Sequence, residues 1–377
     1  MDPTTLIGPS DPLGFPAPFW FVEFFKVLGF TLHTVPMNLW YAGLVLAAIF
    51  GLFGSTHPRR LAHRLITAMP VVVALGVNLG IVPLLFTQVA YYKVFYPAGV
   101  LMAWPWFSVI VLLTLAYYGV YLYATSVRRD WRPRLGLAAG WVSAILFVSI
   151  GFLFANNFSL MTNVAGWPAL LHQTGVAGAP TGIALNTADP TLWPRWLMMF
   201  GLALTTVAAY IVVDTAFFAG QESDDYRRWA ATFAPKLATL GLVWFAITGS
   251  WYIFGTLRAD VRGVLLGVPW LILTVLTALG PGLPWLLIMA QRQGITRRFA
   301  VFTALAQFGV LALNAVSRQF VQNAELGTFL NVAAEPVNTQ WSPMIVFLVL
   351  FVVGLGIVTW MLSKVIAVAG KPSAQAR

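Results

Sequence analysis

The chain has 377 residues, 59% of them hydrophobic and 9% charged, with no cysteine. Several apolar runs exceed the roughly 20 residues that cross a bilayer, which excludes a soluble globular domain. The formal net charge of +10 would suggest nucleic acid in a soluble protein, but the arginines sit in short loops between apolar runs, where membrane topology accounts for them and no nucleic-acid partner is needed.

Missing cysteine also rules out disulfides, cysteinyl iron–sulfur ligation and covalent haem attachment, so any redox centre is non-covalent or belongs to a partner. The start, MDPTTLIGPSDPLGFPAPFW, lacks a basic n-region and a small-residue cleavage site and reads as an external Pro-rich arm, residues 1–18. In lipid each spanning segment must satisfy its own backbone, so the long apolar runs that follow are helices. Nine are expected: Phe19–Phe53, Ile66–Ala90, Ala98–Thr125, Leu135–Leu160, Leu192–Ala219, Trp229–Phe254, Val264–Ala290, Phe299–Ser317 and Pro343–Val365. The fold class is an all-α polytopic bundle. It forms one membrane domain, 19–366, with an external loop at 161–191 and a cytoplasmic tail at 367–377.

Arginine placement sets the expected orientation. Arg59, Arg60 and Arg64 follow span one; Arg128, Arg129, Arg132 and Arg134 follow span three; Arg227, Arg228 and Lys236 follow span five; Arg292, Arg297 and Arg298 follow span seven; Lys364 and Lys371 follow span nine. The basic side faces the cytoplasm, so the N-terminus lies outside and the C-terminus inside an inner (cytoplasmic) membrane of bacterial type. The long outside loop is nearly uncharged, and its Trp167, Trp193 and Trp196 suit the membrane interface or the underside of a partner subunit.

Polar groups within the spans are the functional candidates. His33, in GFTLHTVPMNLWY, lies deep in span one, three residues before Pro36. Neutral imidazole is an axial ligand for haem iron, and it is equally a residue that bonds a neighbouring helix. No second intramembrane histidine faces it: His57 and His63 fall in a basic loop and His172 in the outside loop, which disfavours a bis-histidine haem. Met198 near the outer end of span five is a packing residue or a ligand. Asp214 in span five relays protons or bonds a neighbouring helix. In span two Asn78 and Gln88 suit close packing or a quinone headgroup. Arg318, expected at the outer end of span eight, pairs with a haem propionate or snorkels to the interface. Metal-site, phosphate-loop and nucleophile-elbow patterns are absent from the sequence, so nothing supports a hydrolase or an ATPase.

Several stretches together resemble subunit I of the cytochrome bd quinol oxidases. That family has nine spans, an outside N-terminus and a haem-ligating histidine in span one shortly before a proline, as His33 precedes Pro36. QVAYYKVFYPAG is similar to the family's Tyr-Tyr stretch between spans two and three, and FLFANNFSLMTN to its Ala-Asn segment ending span four. The Gly-Arg-Gln-Pro element of its span eight is matched by Ser317, Arg318, Gln319 and Phe320. Departures are as plain. A family glutamate falls at Ala315, two span-three glutamates at about Phe107 and Leu115, the low-spin haem histidine at Leu197 or Met198, and its methionine near Val264. Arg262 falls near an arginine that in the family faces a propionate, and the long quinol-binding loop shrinks to GTLRADVRG.

The resemblance implies a membrane subunit of a respiratory electron-transfer complex, quinone- or cytochrome c-linked, with one b-type haem at His33 and partners among other membrane subunits and a periplasmic c-type cytochrome. Three alternatives stay open: a haem-free anchor for partner subunits; a divergent terminal oxidase, disfavoured because oxygen reduction has no evident proton supply without the lost carboxylates; and a solute transporter, disfavoured because such folds more often show polar groups on broken helices at midplane.

Overall fold

A computed structural model describes residues 1–369; of the expected tail, residues 370–377 lie outside the described residues. Among the described residues, nine helices are long and apolar enough to cross a membrane. They are spans one (Phe19–Phe53), two (Thr56–Ala90), three (Ala103–Arg129), four (Pro133–Thr162), five (Leu192–Phe217), six (Asp224–Thr256), seven (Trp270–Ala290), eight (Arg297–Leu326) and nine (Trp341–Met361).

Two boundaries move by more than two turns. Span two begins at Thr56, so Arg59, Arg60, His63 and Arg64 occupy its first turns rather than a loop. Span eight continues to Leu326, which puts Arg318 two turns inside the helix and not at its end. In both cases polar side chains that read as loop find partners on neighbouring helices. Span seven starts at Trp270, because Ala259–Leu266 forms a separate short helix, and Tyr92–Leu101 forms another before span three. Span one passes through a π-helical turn at Leu39–Gly43, just after Pro36, whose missing N–H interrupts the helical ladder.

Spans one to six and eight enclose the core. One buried cluster, including Trp40, Tyr41, Met69, Phe147, Val207 and Tyr226, fills the half nearer the arginine-rich ends. A second, including Phe15, Tyr91, Trp167, Leu170 and Leu326, closes the opposite end. The N-terminal arm belongs to that closure: Phe15 N–H donates to the Pro336 carbonyl (2.7 Å) and Asn338 N–H to the Phe15 carbonyl (2.8 Å). The outside loop folds back onto the short helix before span three and onto span four through bonds from Ala184 N–H to the Leu101 carbonyl (2.9 Å) and from Asn186 N–H to Asn156 Oδ1 (3.0 Å). Trp167, expected at the interface, is instead fully buried, its indole donating to the Leu160 carbonyl at 2.8 Å. Span nine meets the bundle through Phe347 and Phe351, which pack on Phe21, Phe25 and Phe86; the apolar side chains of spans three, seven and nine otherwise face outward, as a lipid surround requires.

Candidate functional site

His33 sits at a close approach of spans one and two. Span two has no side chain at Gly76 and Gly80, and rings from span one fill the space. A Cβ on Gly76 would stand 2.0 Å from the Trp40 ring, and one on Gly80 would stand 2.8 Å from His33 Cε1. The imidazole therefore lies directly on the span-two backbone, with Nδ1 2.8 Å from the Gly76 carbonyl oxygen and the Trp40 ring edge-on to it, centroids 5.8 Å apart. A carbonyl only accepts, so Nδ1 carries the proton and Nε2 keeps its lone pair. That contact holds the histidine in hydrocarbon, and it fixes the tautomer that a metal-ligating histidine needs.

One turn away on the same face of span one, the Arg318 guanidinium from span eight stacks over Phe30, 4.5 Å from the ring centroid. Among the described residues it has no hydrogen bond and no ion pair. A half-buried guanidinium with five donors and no acceptor fits an anionic oxygen group brought by a ligand. Together, an imidazole with a free Nε2 and an unpaired cation one turn away form a donor set that fits a haem: His33 would hold the iron and Arg318 a propionate.

Beyond Arg318 the interior stays polar, in a network that sequence reasoning missed. Lys26 is buried and donates to Gln319 Oε1 (2.6 Å) and Gln322 Oε1 (2.9 Å), with its ammonium over the Tyr91 ring at 4.5 Å. Tyr91 donates to Asn323 Oδ1, Gln319 donates to the Tyr91 hydroxyl, and Asn323 donates to Glu23 Oε1 at 2.6 Å. Nearby, Arg195 binds Glu325 (2.5 Å) and the Tyr252 hydroxyl (2.9 Å). Lys26, Phe30 and His33 recur at i, i+4 and i+7, one helix face, so a lysine at that spacing in an apolar run was the signal available. Asn323 also lines a cavity of about 320 Å³ with Phe19, Leu330 and Asn331.

The other candidates do not join this site. Met198 packs in apolar clusters with Tyr252, Leu257 and Val261 on one side and Leu202 and Phe245 on the other. Arg262 reaches back to the Phe254 carbonyl at 3.4 Å, within its own segment. Asn78 is exposed and bonds the Ala74 carbonyl of its own helix (2.8 Å); Gln88 lies ten residues on, about 15 Å along the axis. Asp214 takes a two-pronged bond from Arg64 of span two, at 2.6 and 2.8 Å. Arg64 also donates to Glu222, which Arg60 binds as well. Outside the spans, burial pushes the Glu222 carboxyl up, but its bonds to Arg60 and Arg64 outweigh that and hold it below the ordinary 4.5.

No protein-family model and no curated protein matches the chain. Among solved structures it is similar to a chain of the bd oxidase from Geobacillus thermodenitrificans, with a TM-score of 0.65 and 15% sequence identity over 94% of this chain and 98% of that one. At that identity the likeness concerns the backbone: the protein is a multi-pass membrane chain with the fold of a cytochrome bd oxidase subunit I.

Proposed function

We propose that the chain is a membrane subunit of a respiratory electron-transfer complex that holds one b-type haem through His33, exchanging electrons with a quinone or a c-type cytochrome and working beside other membrane subunits. The observation that carries this reading is the pairing of an Nε2 lone pair, enforced by the Gly76 carbonyl, with the unpaired Arg318 guanidinium one turn away. When bound, the haem supplies one-electron chemistry. His33 orients its ligating nitrogen, Arg318 offsets a carboxylate, and the Trp40 ring keeps the imidazole edge dry. The arginine-rich ends face the cytoplasm in this reading. A reduced-minus-oxidised spectrum of the purified chain tests it: a b-type band in the wild type, lost in His33→Ala, is expected. No band in either protein refutes the haem and leaves a membrane anchor, the reading favoured by the existing Gly76 bond, which holds His33 without a cofactor.

A further inference from the structure

We infer that a file of water enters from the arginine-rich face and runs along span eight to within one helical turn of His33. Only its destination rests on the haem reading. At the arginine-rich end, Gln291 donates through Nε2 to Thr303 Oγ1 of span eight, 3.1 Å away. One turn further in, Gln307 donates to Thr205 and Thr206 of span five, at 3.1 and 3.0 Å. Asn38 of span one donates to the same Thr206 hydroxyl at 3.0 Å. Thr34 follows one turn back along span one and adjoins His33. All these polar side chains are buried.

Amide-to-hydroxyl bonds commonly join membrane helices, which accounts for these contacts but not for what they leave over. Each threonine hydroxyl already spends its proton on a backbone carbonyl: Thr303 on Phe299 (2.8 Å), Thr205 and Thr206 on Leu202 (2.9 and 2.7 Å). Toward the glutamines these hydroxyls can only accept. Both glutamines must therefore present their NH₂ groups to them, which fixes the amide orientation and turns each Oε1 elsewhere. Oε1 of Gln291 and Oε1 of Gln307 are buried and receive a hydrogen bond from no described residue. Buried amide oxygens in an apolar surround need donors, and water meets that need where polar groups converge.

The polar side chains also set where the file goes. Past Gln307, span eight turns apolar at Val310 and Leu311, which pack with Leu202 and Phe245. The Thr206–Asn38 bond diverts the polar track from span eight to span one at that depth. Arg318 stands beyond, and a fixed cation opposes passage of hydronium to the far side. The file thus gives one-sided aqueous access, through which protons reach the His33 pocket although residues 107 and 115 are Phe and Leu.

The absence of cysteine makes the test clean. Single cysteines are introduced at Thr303, Gln307 and Asn38 in the full-length chain in proteoliposomes, with Leu305→Cys (lipid-facing) and Leu311→Cys (buried, apolar) as references. Silver ion, small enough to follow water, is added from either side. From the arginine-rich side we expect cysteines at 303, 307 and 38 to react at least about tenfold faster than the references, because only a hydrated thiol ionises readily. Gln307→Leu should slow the reaction at position 38. Equal rates at all five positions, or access only from the opposite side, would overturn the inference. Thr206→Cys replaces Gln307→Cys if the latter does not fold. Labelling reads water and the haem spectrum reads iron, so the two readings fail separately.

Discussion

Gly80→Ala should damage the protein through His33 and through nothing else. The new methyl would stand 2.8 Å from His33 Cε1 and 2.9 Å from Nδ1, well inside normal contact. Overpacking of this kind costs about 1–3 kcal/mol. Moving the ring also gives up the Nδ1 bond to Gly76, worth about 0.5–1.5 kcal/mol, while alanine in a helix returns about 0.5–1 kcal/mol. The net expectation is a loss of about 0.5–4 kcal/mol, read as the midpoint of equilibrium unfolding in mixed micelles. In a His33→Ala background the obstacle is gone, so the same substitution should be neutral or slightly stabilising, and the cycle should give a coupling of about 1.5–4.5 kcal/mol. Gly309→Ala in span eight, whose added Cβ meets nothing within 4 Å, is the control and should not destabilise. An equal loss from Gly80→Ala in both backgrounds would refute the reasoning, since the methyl would then be striking something other than the imidazole.

Three further outcomes follow from the packing. Arg64→Leu should cost about 3–5 kcal/mol, because it strands the buried Asp214 carboxylate, and the Arg64→Leu/Asp214→Leu double variant should cost less than that in the same unfolding assay; Asp214→Leu alone should also cost less than Arg64→Leu, because Arg64 keeps its bond to Glu222. Tyr91→Phe removes the hydroxyl shared by Asn323 and Gln319 and should cost about 1–3 kcal/mol by the same measurement. Glu222 is held below its ordinary value in the folded chain, so its stabilisation is present above about pH 4.5 and is lost as the pH falls through the lowered folded value. The melting temperature should therefore drop on the acid side, and Glu222→Gln should flatten that slope.

Span number and identity were legible in the sequence because hydrocarbon demands about 20 apolar residues with their backbone satisfied internally. Helix ends were less so. Arg60 and Arg64 look like loop residues until Glu222 and Asp214, more than 140 positions away, are seen to receive them. SRQFVQNAE looks like a span terminus until Lys26, Tyr91 and Arg195 supply partners for its side chains. A histidine in an apolar run needs a partner, and the one His33 finds is reached across two glycines of another helix, which no local pattern announces. The spacing of Lys26 from His33 puts both on one face of span one, a signal present in the sequence. Met198 and Arg262 stand where the family pattern has a haem ligand and a propionate partner, and Asn78 and Gln88 stand out by residue type, but neither signal says which side chains converge.

The direct test of the account is a ligand replacement at position 33. Purified His33→Gly should lack the b-type band of the wild type, and added imidazole, entering the space between span one and Gly80 of span two, should restore it. A wild-type chain that stays colourless when haem is supplied, or a variant whose band is unchanged from wild type, would contradict the assignment of His33 as the iron-holding residue.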